Sequence, residues 1–86
     1  MIIHSHPEPM ASHKTGSLKS DIPYDMIDRL VGKECRVSDD PYKVRHSWQF
    51  SADGVPCAIW DYKGSRWSTF GPKEVFVKLF GEANVN

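Results

Sequence analysis

The stretch HSWQFSADGVPCAIWDYKGSRWSTF, residues 46–70, decides the fold. Extended back to Val44, it sets Val44, His46, Trp48, Phe50 and Ala52 on one side of a strand and Arg45, Ser47, Gln49 and Ser51 on the other. Asp53-Gly54 follows, and a two-residue hairpin turn needs residues that accept positive φ at both central positions. That turn sets the register: Ala52 opposes Val55, Phe50 opposes Cys57, Trp48 opposes Ile59 and His46 opposes Asp61. Pro56 then lies opposite Ser51 at a non-hydrogen-bonded site of this pair, where its missing N–H costs nothing.

Lys63, Gly64 and Ser65 read as a second turn, and Arg66 to Phe70 as a third strand of the meander. A central strand alternates its hydrogen bonds between its two neighbours. That favours Tyr62 opposite Ser65, Asp61 opposite Arg66, Trp60 opposite Trp67 and Cys57 opposite Phe70. In this register one face carries Trp48, Phe50, Cys57, Ile59 and Phe70. The other carries Trp60, Tyr62, Trp67 and Thr69, bordered by Arg45 and Lys63.

The first apolar face needs a cover, and the flanking sequence supplies two short helices. Before the meander, Ser20 or Asp21 can cap, Pro23 suits a first turn, and Met26, Ile27, Leu30 and Val31 fall at helix spacing before Gly32. After it, GPKEVFVKLFG (71–81) opens on Pro72, closes on Gly81, and sets Val75, Phe76, Leu79 and Phe80 on one stripe. ECRV (34–37) alternates and reads as a short additional strand, ended by the turn-forming cluster Ser38, Asp39, Asp40, Pro41. The expectation is one α+β domain over residues 20–83. It contains an antiparallel three-stranded meander, a short fourth strand and two helices, in the order α-(β)-β-β-β-α. Residues 1–19 read as a disordered tail and 84–86 as a frayed end.

Composition narrows the function. Eleven Lys and Arg balance eleven Asp and Glu, whereas sequence-independent nucleic-acid binders usually carry a basic excess. No apolar run is long enough for a membrane span and the start lacks a signal-peptide core, so a cytoplasmic protein is expected. The two cysteines, Cys35 and Cys57, read as free buried thiols.

Chemistry-bearing residues do not assemble into a reaction centre. His46 opposite Asp61 reads as a pair satisfying each other at the sheet end. Cys57 is four residues from Asp61 along one strand, roughly 13 Å, beyond reach of a shared site. The glycines mark turns rather than a phosphate-binding loop, and His4-Ser5-His6 lacks a third metal ligand. The reading is therefore non-catalytic, with no cofactor and no metal.

The second sheet face is the candidate site. Trp, Tyr and Arg dominate binding hot spots, which singles out Trp60, Tyr62, Trp67, Arg45, Lys63 and Arg66. Trp60 and Trp67 are the expected apolar anchors, with the cations as orienting charges. The favoured partner is a larger protein, the chain itself being a monomer or weak homodimer. Two alternatives stand beside it: nucleic-acid binding, since the element order is that of the double-stranded RNA-binding domain, and capture of a nucleotide between Trp60 and Trp67.

The segment CAIWDYKGSRW, with Trp48, Phe50, Ile59, Trp60, Asp61, Tyr62 and Lys63, resembles short uncharacterised bacteriophage proteins. In those, an IYDWK-like strand ends a hairpin begun by a W-x-F strand. Here the two aromatics around Asp61 are exchanged. The resemblance implies a small phage product that binds and redirects a host protein, including a defence complex such as CRISPR, in the host cytoplasm.

Overall fold

The computed structural model describes residues 2–6, 14–32, 44–62 and 66–85, with positions 6, 44, 45, 62 and 66 described by their main chain only. The protein is α+β, one antiparallel sheet of five strands with two helices. In chain order the elements are β1 (Ile3–His6), β2 (Gly16–Leu18), α1 (Tyr24–Val31), β3 (Val44–Ala52), β4 (Val55–Tyr62), β5 (Arg66–Phe70) and α2 (Lys73–Phe80). The strands lie side by side as β1-β3-β4-β5-β2.

The first hairpin follows from its turn chemistry. Asp53 and Gly54 have φ of 51° and 84°, both left-handed, and the pairs Ala52–Val55, Phe50–Cys57 and Trp48–Ile59 form in register. Pro56 lies opposite Ser51 and beyond the end of β5, whose last pair is Phe70 with Ala58. Neither neighbour therefore asks Pro56 for an N–H.

Beyond Ser47 the ladder is irregular: Ser47 pairs with Trp60 but Val44 with Tyr62. The expected His46–Asp61 cross-strand pair is replaced by a bulge. There the His46 main-chain N–H donates to Asp61 Oδ1 at 2.7 Å, giving a ladder donor freed by the bulge a buried carboxylate.

The second hairpin departs from expectation by one residue, and that residue reorganises both faces. Tyr62 pairs with Arg66 rather than Ser65, so the loop has three residues instead of two. Tyr62 and Trp60 still bond towards β5, as alternation requires, but each meets the next residue along. Trp60 pairs with Ser68, Asp61 with Trp67, Ile59 with Thr69 and Ala58 with Phe70. Trp67 and Thr69 thereby join the Trp48 face, and Phe70 leaves it.

Both edge strands come from the expected tail. Ile3–His6 pairs with β3, and Gly16–Leu18 pairs with β5. Each is too short to show a period, and its partner is fifty or so positions away, so pairing rather than local preference orders it. The Asp53 turn also anchors β1: the Ile2 carbonyl accepts from the Asp53 N–H, and the Ile2 N–H donates to Asp53 Oδ1, both at 2.8 Å. The expected frayed end is likewise built in. Val85 is buried and bridges Leu18, and the Asn84 carbonyl accepts from the Lys19 N–H. The strand expected at 34–37 and the turn at 38–41 lie outside the described residues.

Both helices pack on the Trp48 face. α1 buries Ile27 and Val31 and α2 buries Val75, Phe76 and Phe80, with Phe76 meeting Phe50 edge-on at 6.2 Å between centroids. Pro23, not Ser20 or Asp21, takes the α1 N-cap position, and no side chain caps it. The Ile22 carbonyl just before α1 instead accepts a 2.8 Å bond from Trp67 Nε1. Trp67 meets Trp48 edge-on at 5.4 Å, and Trp48 Nε1 donates to Asp28 of α1. The two indoles thus fasten the helix to the sheet, and burying a ring of that size contributes about 2 to 3 kcal/mol.

Candidate functional site

Strand pairing sorts the expected binding residues onto different faces. Trp60 lies on the sheet face away from both helices, in a cross-strand row of Ser47, Trp60, Ser68 and Ser17. The next row is His6, Gln49, Ala58 and Phe70. Ser47, Ser68, Ser17, Gln49 and Ala58 are buried, whereas Trp60 and Phe70 are half-buried. The large ring stands between two small hydroxyl side chains on neighbouring strands, so it rises above its floor. No buried side-chain nitrogen or oxygen among the described residues lacks a hydrogen-bond partner, so this polar floor is satisfied rather than strained.

Of the remaining candidates, Tyr62 and Arg66 are paired register positions one step along the Trp60 face. Arg45 falls within the bulged stretch of β3, and Lys63 lies outside the described residues. Trp67 does not belong to this site. It is on the helix-covered face with its N–H committed to Ile22, so no ligand can stack between Trp60 and Trp67 within one chain. The nucleotide-capture reading set these two rings on one face, whereas the register sets them on opposite faces. Phe70 takes the vacated place. Its location was legible only through loop length: a three-residue loop after Tyr62 puts position 70 opposite Ala58.

The helix-covered face holds the residues that invite a catalytic reading, and its geometry disperses them. Cys57 is a free thiol, fully buried, donating weakly to the Val55 carbonyl at 3.5 Å; burial pushes its pKa above the ordinary 9.0. A thiol held protonated is a poor nucleophile. The His46 ring packs against Tyr24 at 4.8 Å and Trp48 at 6.3 Å, at the opposite end of the strands from Cys57. Among the described residues, no three His, Cys, Asp or Glu side chains gather as a metal-binding group, and no helix is long and apolar enough to cross a membrane. The arrangement is suited to contact: an aromatic platform on a hydrogen-bonded floor, built on strands rather than loops.

Comparison of the chain with protein-family models, curated proteins and solved structures finds no match.

Proposed function

We propose that the chain is a non-catalytic binding protein that docks on a larger protein through the sheet face carrying Trp60 and Phe70. One observation carries this reading: Trp60 is half-exposed on a sheet face that neither helix covers, beside buried small and polar residues. Trp at the centre of a polar surround is the residue type that contributes most to protein interfaces, and a preformed sheet spends little entropy in presenting it. Tyr62 and Arg66 extend the face by register. The resemblance of the W-x-F hairpin to short phage proteins supports a host protein, including a defence complex, as the partner class. Balanced charge supports a protein over a nucleic acid.

The test is site-specific photocrosslinking in bacterial lysate, with a benzophenone amino acid at position 60 and the same group at Lys78, exposed on α2, as control. A discrete protein adduct from position 60, absent from position 78 and competed by excess unlabelled chain, is the expected result. No adduct, or one removed by nuclease, overturns the reading, the second outcome favouring nucleic acid.

A further inference from the structure

We propose that Asp53-Gly54 is a site of covalent self-modification, at which Asp53 rearranges to its β-linked isomer, and that docking of β1 restrains the reaction. Asp53 is the only aspartate of the sequence followed by a glycine. Both residues are exposed at the tip of the β3–β4 hairpin, and Gly54 brings no side chain to shield its own amide. The closing ladder bonds join Ala52 to Val55, which leaves the Gly54 N–H outside the ladder. An exposed amide directly after a carboxyl side chain is the nucleophile that this rearrangement needs.

The chemistry requires only the chain and water. The Gly54 nitrogen bonds to Cγ of the protonated Asp53 carboxyl, and the amide proton leaves with a carboxyl OH as water, closing a five-membered imide. Water then adds at the Asp53 main-chain carbonyl carbon and breaks the bond from that carbon to the Gly54 nitrogen. The peptide link now runs through Cβ and Cγ, and the former main-chain carbonyl is a carboxylate. Mass is unchanged, while the backbone gains one carbon in the turn.

β1 opposes ring closure. The Ile2 N–H donates to Asp53 Oδ1 at 2.8 Å, and the Ile2 carbonyl accepts from the Asp53 N–H at 2.8 Å. Ile2 therefore holds both ends of Asp53, its main-chain N–H and its carboxyl. The imide sets Cγ in the plane of the Asp53–Gly54 peptide, so the bonds between those two ends must rotate and the carboxyl bond must break first. In the product the carboxylate sits on Cα and the loop is longer, so the double bond to Ile2 and the 52–55 closure are not kept together. The modification thus releases β1 from the Gln49 and Ser51 main chain with which it pairs. This inference is independent of what binds at Trp60.

Timed incubation of the full chain in neutral buffer below its unfolding midpoint, followed by peptide mapping, tests it. The expected product is a peptide of unchanged mass and shifted retention, whose bond after Asp53 resists an aspartate-specific protease. Ile2→Pro, which removes the donor to Oδ1, should form it about tenfold faster, the factor by which one bond to a charged group holds the carboxyl in place. His4→Pro, which removes a β1 N–H directed at Ser51, should also accelerate it. Circular dichroism shows whether each variant is folded during the incubation, and hydrogen exchange of the aged wild type should show lost protection at Gln49 and Ser51. No isomer at Asp53, equal rates in the wild type and both folded variants, or full protection of Gln49 and Ser51 in the isomerised chain overturns the proposal.

Discussion

Replacing Trp67 with alanine tests the register of the second hairpin and, with it, the assignment of both sheet faces. In the structure this ring lies over the Asp61–Leu18 row, meets Trp48 edge-on at 5.4 Å and donates to the Ile22 carbonyl at 2.8 Å. Truncating a buried tryptophan costs about 3 to 5 kcal/mol, and the half-buried position of Trp67 points to the low end. Within that figure, the aromatic pair accounts for about 1 kcal/mol and the carbonyl left without its donor for about another. The expected loss is about 3 kcal/mol, against a total of about 4 to 13 kcal/mol for a domain of this length.

Urea unfolding followed by far-ultraviolet circular dichroism measures it. With a slope of about 1 kcal/mol per molar urea, the midpoint should fall by about 3 M. Trp67→Phe keeps most of the ring and loses the donor, and should cost about 1 kcal/mol. Trp60→Ala removes a ring to which the structure assigns no hydrogen-bond or ring partner among the described residues, and should cost less than about 1.5 kcal/mol. An unchanged midpoint for Trp67→Ala beside unfolding of Trp60→Ala would refute the reasoning, because it would return Trp67 to the outer face and make Trp60 the core residue.

Gly71 has φ of +125°, and an added Cβ would lie 2.8 Å from Cys57 Sγ; Gly71→Ala should therefore cost about 2 to 3 kcal/mol in thermal unfolding. Gly54→Ala, at φ +84° with open space around it, should cost about 1 kcal/mol or less, and equal losses at the two sites would contradict the close packing at Gly71. Burial raises the Cys57 pKa, so the folded state keeps the proton that the unfolded chain releases near pH 9.0. The stability this contributes is complete below that pH and declines as pH rises through the folded value. In a Cys35→Ser background, denaturation midpoints should fall above pH 9 more steeply than in the further variant Cys57→Ala; parallel curves would refute it. Asp61→Ala removes the acceptor of the His46 N–H within the bulge and should cost about 2 kcal/mol, read by urea unfolding, with Asp61→Asn recovering about half.

How much was legible depended on whether the signal was local. Asp53-Gly54 determines a turn by backbone chemistry at two adjacent residues, so the 52–55, 50–57 and 48–59 pairs follow from the residue types alone. Helices α1 and α2 announced themselves through apolar spacing and the glycines that end them. The Trp60 position was readable as an outward one, because Trp60 follows Ile59 on a strand whose alternation the first turn had already set. The bulge near His46 was not, since nothing in the residue types of 44–47 separates a regular ladder from one that yields a donor to Asp61.

By itself, then, the sequence determined a meander with two helices on its Trp48 face, and an aromatic residue at position 60 facing away from them. Only the tertiary structure decided the partner of each strand. One added loop residue after Tyr62 inverts the face of every side chain in β5, because strand alternation has a period of two; it carries Trp67 inward to Trp48 and Phe70 outward beside Trp60. The edge strands β1 and β2 follow the same logic at longer range. Their three or four residues hold too little local preference to order themselves, and they become strands because β3 and β5 present unpaired main-chain groups that they can satisfy.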